Sequence, residues 1–148
     1  MSDAAIWWGG TLPALERLTA GGDGSMAGLL GIEFIDAGPD WLRARMPVDD
    51  RTRQPFGRLH GGASLVLAET VGSVAGAMTV DPARFVTVGM EINANHLRPA
   101  YDGFVHATAT AESLGHSVQV WTIRIEDGAG KLVCLSRFTA AVIAKRRK

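Results

Sequence analysis

Between Leu59 and Val80 the chain carries one formally charged residue, Glu69, in a run of Ala, Val, Leu, Gly and Met. A carboxylate in apolar surroundings is costly to bury and is normally paired, hydrogen-bonded or shifted in pKa, so one retained there points to use. The polar groups near it in sequence are Gln54, His60, the Gly61-Gly62 pair and Ser73. Free N–H groups at a helix start can stabilise a developing oxyanion, and glycines leave them unobstructed. A carboxylate can serve an activated acyl carbon either as nucleophile or as base for water. If the segment is helical, however, Glu69 lies roughly 13 Å along the axis from His60. One carbonyl cannot meet both ends within a chain, so the spacing implies a site between two chains, one lending the helix start and the other Glu69.

Each of these residues also has a plainer reading. Glu69 fits equally well as the structural partner of an arginine in a neighbouring chain. His60 fits as a local hydrogen-bonding group at a helix start, and Ser73 as a helix serine bonding back to a carbonyl. Asn93, Asn95 and His96 fit sheet-face or interface packing at least as well as a pocket, and stay outside the catalytic set. Other chemistries find little support. The histidines at 60, 96, 106 and 116 lack the HExxH spacing of a metal site, and there is no CxxC. Neither a phosphate-binding P-loop nor a Gly-x-Gly-x-x-Gly turn is present. Ser64 lacks the second glycine of a nucleophile elbow, and Cys134, mid-strand, reads as a small core hydrophobe.

At 148 residues the chain is most simply one domain with a full core. Fifteen basic and fifteen acidic side chains cancel, so no global field argues for nucleic acid. The one charge cluster is the basic tail 145–148, either a solvated end or an attractor of a phosphorylated ligand. A single cysteine excludes an internal disulfide framework and fits a reducing compartment. The start has no basic, apolar signal-peptide pattern, and the run around Glu69 reads as a buried helix rather than a membrane span. A cytoplasmic protein is expected.

The elements that must position these residues follow from periodicity. A short helix is expected over 11–20, with Thr11 as N-cap and Pro13 in the first turn; Trp7 and Trp8 before it read as apolar anchors. Strands are expected over 31–37 and 41–46, then a loop over 49–58. The long helix follows over 60–80, with Leu67, Val71, Val74 and Met78 as its apolar stripe. Gly72 and Gly76 cost that helix roughly 1 kcal/mol each against alanine, which implies close approach of another backbone or a ligand. Strands over 86–95, 104–111, 118–126 and 132–144 complete an α+β architecture: one long helix against an antiparallel sheet of about six strands. Such a sheet leaves an edge and a face to manage, so a dimer or larger assembly is expected.

The segment Gln-Pro-Phe-Gly-Arg-Leu-His-Gly-Gly-Ala-Ser-Leu-Val-Leu-Ala-Glu-Thr-Val-Gly-Ser from Gln54 to Ser73 resembles the hotdog-fold acyl-CoA thioesterases. The stretch Val-Gly-Met-Glu-Ile-Asn-Ala-Asn-His-Leu-Arg-Pro from Val88 to Pro99 adds independent support. The likeness covers Ile6 to Ala144 and is to the Arthrobacter-type 4-hydroxybenzoyl-CoA branch. Within it, the pattern is most similar to the dihydroxynaphthoyl-CoA hydrolases and the siderophore-pathway proofreading thioesterases. The resemblance implies hydrolysis of an aromatic acyl-CoA, such as 1,4-dihydroxy-2-naphthoyl-CoA or a benzoyl-CoA, with menaquinone biosynthesis as one setting. It implies Glu69 as nucleophile or base, the Gly61 amide polarising the carbonyl, Gln54 and His60 around that carbonyl, and Ser73 positioning the water. Arg98, His116, Ser117 and Arg146 match positions that contact the coenzyme A (CoA) nucleotide. No cofactor or metal is implied, CoA being part of the substrate. An acyl carrier protein as thioester donor and a homodimer assembling to a homotetramer are implied as partners. A hotdog dehydratase is disfavoured by the absence of its His–acid pair, and a non-catalytic acyl-CoA-binding module stays open.

Overall fold

The computed structural model describes residues 4–146. Six antiparallel strands form one sheet: β1 (Glu33–Ala37), β2 (Trp41–Pro47), β3 (Phe85–His96), β4 (Phe104–Leu114), β5 (Val118–Glu126) and β6 (Leu132–Ala144). Their order is β1-β2-β4-β5-β6-β3. The helix α3 (Gly61–Met78) enters between β2 and β3 in sequence and packs across the sheet, touching β2 to β6. By length and composition α3 could cross a membrane; here one of its faces lies on the sheet.

Period-two alternation sends Leu42, Ala44 and Met46 of β2 inward with Val105, Ala107 and Ala109 of β4 and Trp121, Ile123 and Ile125 of β5. The face α3 lays on them is made mostly of small residues, Ala63, Ser64, Ala68, Gly72, Ala75 and Gly76 beside Leu67 and Val71. The two helix glycines are explained by this closeness, although their neighbours are side chains of the sheet rather than another backbone or a ligand. A β-carbon on Gly72 would stand 2.8 Å from the Phe138 ring, and one on Gly76 would stand 2.6 Å from Gln119 Oε1. The large residues therefore sit on the sheet. Burying Phe138, Trp121 and their neighbours contributes about 1.5–3 kcal/mol each.

The C-terminal end of α3 is fastened by a buried polar knot. Gln119 Nε2 donates to Thr79 Oγ1 at 2.9 Å, and its Oε1 accepts from Trp121 Nε1 at 3.1 Å. The N-terminal segment departs from expectation. Its helix α1 spans only Leu15–Ala20, with Ala14 at the cap and no side-chain cap bond, so Thr11 is not the N-cap. A second short helix, α2 (Met26–Leu29), follows. Trp7 is the anchor, buried and donating through Nε1 to the Gly38 carbonyl at 2.8 Å, whereas Trp8 is exposed. Lys145 and Arg146 of the tail are exposed; Arg147 and Lys148 lie outside the described residues.

At one edge of the sheet runs β3, twelve residues long, with Val86, Val88 and Met90 exposed. It pairs with β6 on one side only, interrupted by a bulge at which Met90 is the extra residue between Gly89 and Glu91. A long, partly apolar edge of this kind is a template for pairing with another strand.

Candidate active site

Two backbone bonds fix the approach to α3: Leu59 N donates to the Ala100 carbonyl and His60 N to the Thr52 carbonyl, both at 2.8 Å. His60 is the N-cap in extended conformation, and its Nδ1 accepts from Gly62 N at 2.8 Å. That bond places the neutral ring's hydrogen on Nε2. Ala63 N donates to the His60 carbonyl at 2.9 Å. The amide of Gly61, at the positive end of an 18-residue helix, has no acceptor among the described residues.

Gln54 lies in the turn just before. Its N–H donates to the Arg58 carbonyl at 2.8 Å, and its carbonyl accepts from Gly57 N at 3.0 Å. The side-chain Oε1 accepts from Phe56 N, which leaves the Nε2 hydrogens as free donors. Gln54, Gly61 and the buried Ser64 line a cleft of about 390 Å³ together with Arg58, His96 and Arg98. A smaller hollow of about 240 Å³ opens on the other side of the helix start, lined by His60, by apolar Met26, Leu29, Leu30 and Val66, and by Arg51 and Arg53, which are ion-paired with Asp49 and Asp50. His60 thus separates from Gln54 and Gly61, which share the basic cleft.

His96 belongs in this cleft, a placement that sequence reasoning missed. The last residue of β3, it brings its ring against Gly61, so that a β-carbon there would stand 2.9 Å from His96 Nε2. Its inward phase on β3, opposite Cys134 of β6, was the signal available.

Glu69 is two turns further along α3, about 12 Å from Gly61 by helix rise. It is exposed, not buried, in this chain, and makes no hydrogen bond or ion pair among the described residues. Its carboxylate lies over the β3 bulge, with Oε1 2.7 Å from where a β-carbon on Gly89 would be. Ser73, one turn on, is half-buried. Within one chain neither residue lines the cleft at the helix start.

The expected CoA contacts divide the same way. Arg98 lines the cleft. His116 and Ser117 form the β4–β5 turn, whose Ser117 carbonyl accepts from Val142 N at 2.9 Å, and Arg146 follows the end of β6. That end of the sheet is about 26 Å along β6 from Cys134, the strand neighbour of His96. Cys134 itself is buried, and burial pushes its thiol up, which suits a core residue rather than a nucleophile.

Comparison with known proteins identifies the family. Residues 56–134 match the family described as the thioesterase superfamily. The chain is 53% identical over 129 residues to the 1,4-dihydroxy-2-naphthoyl-CoA hydrolase of Escherichia coli strain K12, covering 87% of this chain and 94% of that one. It is 47% identical to the proofreading thioesterase EntH of Cronobacter turicensis, covering 87% and 93%. Among solved structures, a mutant thioesterase from Pseudomonas aeruginosa superposes with a TM-score of 0.93 at 46% identity, covering 95% of this chain and all of that one. A thioesterase from Haemophilus influenzae gives 0.90 at 47%, covering 94% and 95%. The fold and the relatives define a hotdog thioester hydrolase, and the chain belongs to the thioesterase superfamily. Its reaction is hydrolysis of a thioester.

Proposed function

We propose that the chain hydrolyses an aromatic acyl-CoA to the free acid and CoA in a site completed by a second copy of itself. The observation that carries this reading is the division of the site: an unpartnered Gly61 amide in a basic cleft, and an exposed Glu69 at the sheet edge. Antiparallel pairing of two β3 edges brings the His96 end of one strand beside the Phe85 end of the other. Glu69, Ser73, His116, Ser117 and Arg146 of one copy then approach Gln54, Gly61 and Arg98 of its partner. Covering by the partner also gives Glu69 the low-water setting that a single chain withholds and that raises a carboxylate's reactivity. Dimers of this kind are proposed to associate into a tetramer in the cytoplasm.

The thioester carbonyl accepts from the Gly61 amide and Gln54 Nε2, which stabilise charge on its oxygen. Glu69 either draws a proton from water positioned by Ser73 or attacks the carbonyl to give an anhydride that water opens. In both routes the C–S bond breaks, CoA leaves as its thiolate and the acid is released. The acyl group is assigned to the hollow bounded by Met26, Leu29 and Val66, whose arginines are already ion-paired, and the CoA arm to the basic cleft. No cofactor is needed.

Steady-state hydrolysis of naphthoyl- and benzoyl-CoA esters tests the reading. Glu69→Gln is expected to lose at least about a hundredfold in kcat, the scale of a general acid–base group, while still binding the ester. A wild type that binds these esters without turnover would reduce the protein to a binding module. The kinship to a proofreading thioesterase favours a carrier-protein thioester as a second substrate, read by comparing the same acyl group on CoA and on a carrier protein.

A further inference from the structure

His96 is a group that the proposed mechanism does not yet use. Its ring is the nearest foreign side chain to Gly61, with Nε2 2.9 Å from the point a β-carbon there would occupy. It is exposed to the cleft and hydrogen-bonded to no other group among the described residues. Gly61 also supplies the one backbone amide of the helix start without an acceptor among the described residues. Any carbonyl oxygen accepting from that amide has its carbon one bond away and both of that carbon's substituents two bonds away, within reach of a neighbouring side chain.

The two sides of the helix start differ in chemistry. The side toward the smaller hollow carries Met26, Leu29, Leu30 and Val66, and its two arginines, Arg51 and Arg53, are ion-paired with Asp49 and Asp50, which leaves that side to an acyl group. The side on which His96 stands carries Arg58 and Arg98, which suit the phosphates at the far end of a CoA arm. The substituent facing His96 is then the sulfur.

We propose that His96 is a catalytic residue for the leaving group, donating from Nε2 to the thioester sulfur as the C–S bond breaks. The inference rests on the acyl-CoA hydrolysis reading and adds a step to it. As the tetrahedral intermediate collapses, the C–S bonding pair passes to sulfur, and the Nε2 proton of the His96 imidazolium passes to the same sulfur, giving CoA thiol and a neutral imidazole. In the water route, the proton taken up by Glu69 returns through solvent to His96. In the anhydride route, the water that opens the anhydride supplies that proton. Either way one water is consumed, and one acid and one thiol appear. The oxyanion donors and Glu69 act on the carbonyl carbon and oxygen whatever the thiol, whereas a proton donor at sulfur matters only when the departing thiolate is basic.

That difference sets the experiment. The same aromatic acyl group is presented on CoA, whose thiolate is basic, and on a nitrothiophenol, whose thiolate is a much better leaving group. His96→Ala and His96→Asn are measured on both esters beside wild type and Glu69→Gln, with thermal melts. The expected result is a loss of about 10–100-fold in kcat on the CoA ester, with KM changed less than about threefold and the nitrothiophenyl rate kept within about threefold of wild type. An equal kcat loss on both esters, from a variant that melts as wild type does, overturns the sulfur role. So does a loss confined to KM, which makes His96 a binding contact for the CoA arm. Should His96→Ala fail to fold, His96→Asn carries the comparison. Glu69→Gln separates this inference from the reading beneath it. If it keeps wild-type rates on both esters, the hydrolysis mechanism falls and the His96 step with it; if it loses both while the His96 variants lose both equally, only the His96 step falls.

Discussion

The carboxylate of Glu69 occupies the space that a side chain on Gly89 would fill: Oε1 is 2.7 Å from the position of a β-carbon there, and the Phe138 ring is 3.1 Å from the same point. The glycine sits at the β3 bulge, on the inward-facing side of the strand. It therefore acts as a seat for the carboxylate, at the cost of a weakened strand interior.

Gly89→Ala is accordingly expected to push Glu69 off its seat. With the Phe138 ring behind it the methyl cannot retreat, so the carboxylate must shift. Displacement of a reacting group by about 1 Å can cost on the order of 100-fold in rate. The expected outcome is a fall of that order in kcat with KM little changed. Overpacking against Phe138 should lower stability by about 1–3 kcal/mol. Kinetics at a temperature where the variant is folded, read beside a thermal melt, separate the two effects; wild-type kcat would show that the seat does not matter.

Much of this geometry could be read from the chain and some could not. The long helix, the six strands and the Gln54–Gly61 cleft follow from hydrophobic period and from the glycines at the helix start, both local signals. The reason for Gly72 and Gly76 was misjudged because Phe138 and Gln119 arrive from strands more than forty residues later, a tertiary fact that periodicity does not carry. Thr11 failed as a cap because the chain stays extended through Ala14 before α1 begins. Glu69 was expected to be buried because its neighbours in sequence are apolar. Its side chain instead leaves the helix beside an open edge, and burial is transferred to a partner that one chain cannot display. His96 was passed over because its contact with Gly61 joins the end of β3 to the start of α3.

If each site is built from two chains, two inactive proteins should restore each other. Gln54→Ala removes a donor at the helix start, and Glu69→Gln removes the carboxylate. In a symmetric two-chain site, a hybrid dimer holds one site with both lesions and one with none. Mixing after reversible dissociation is expected to regain up to roughly a quarter of wild-type activity, since about half the dimers are hybrids and half their sites are intact. Activity no higher than the two homodimers alone would place Glu69 and Gln54 in the same chain's site.

The edge strand offers a direct probe of assembly. Met90 is 62% exposed and is the one residue of the β3 bulge without a partner on β6. Met90→Lys thus places a cation on the edge without breaking the ladder inside the subunit. Lysine on an edge is a common guard against strand pairing. The variant should sediment as a smaller species with its secondary structure kept, and its kcat should fall in step with dissociation. A monomer with full activity at assay concentration would contradict a site shared between chains.

The knot beneath the other end of α3 predicts a change in stability without one in chemistry. Gln119 is buried and satisfies both Thr79 Oγ1 and Trp121 Nε1. Gln119→Leu keeps the volume but strips both partners, and an indole N–H left unsatisfied in the core costs about 1–3 kcal/mol. For a domain of this size that corresponds to a drop of about 3–10 °C in Tm. The side-chain partners of Gln119 are Gly76, Thr79 and Trp121, none of them a residue of the proposed site, so kcat and KM of the folded variant should match wild type. A fall in kcat at unchanged Tm would mean that the helix transmits the loss to Gly61, and that the two ends of α3 are mechanically coupled.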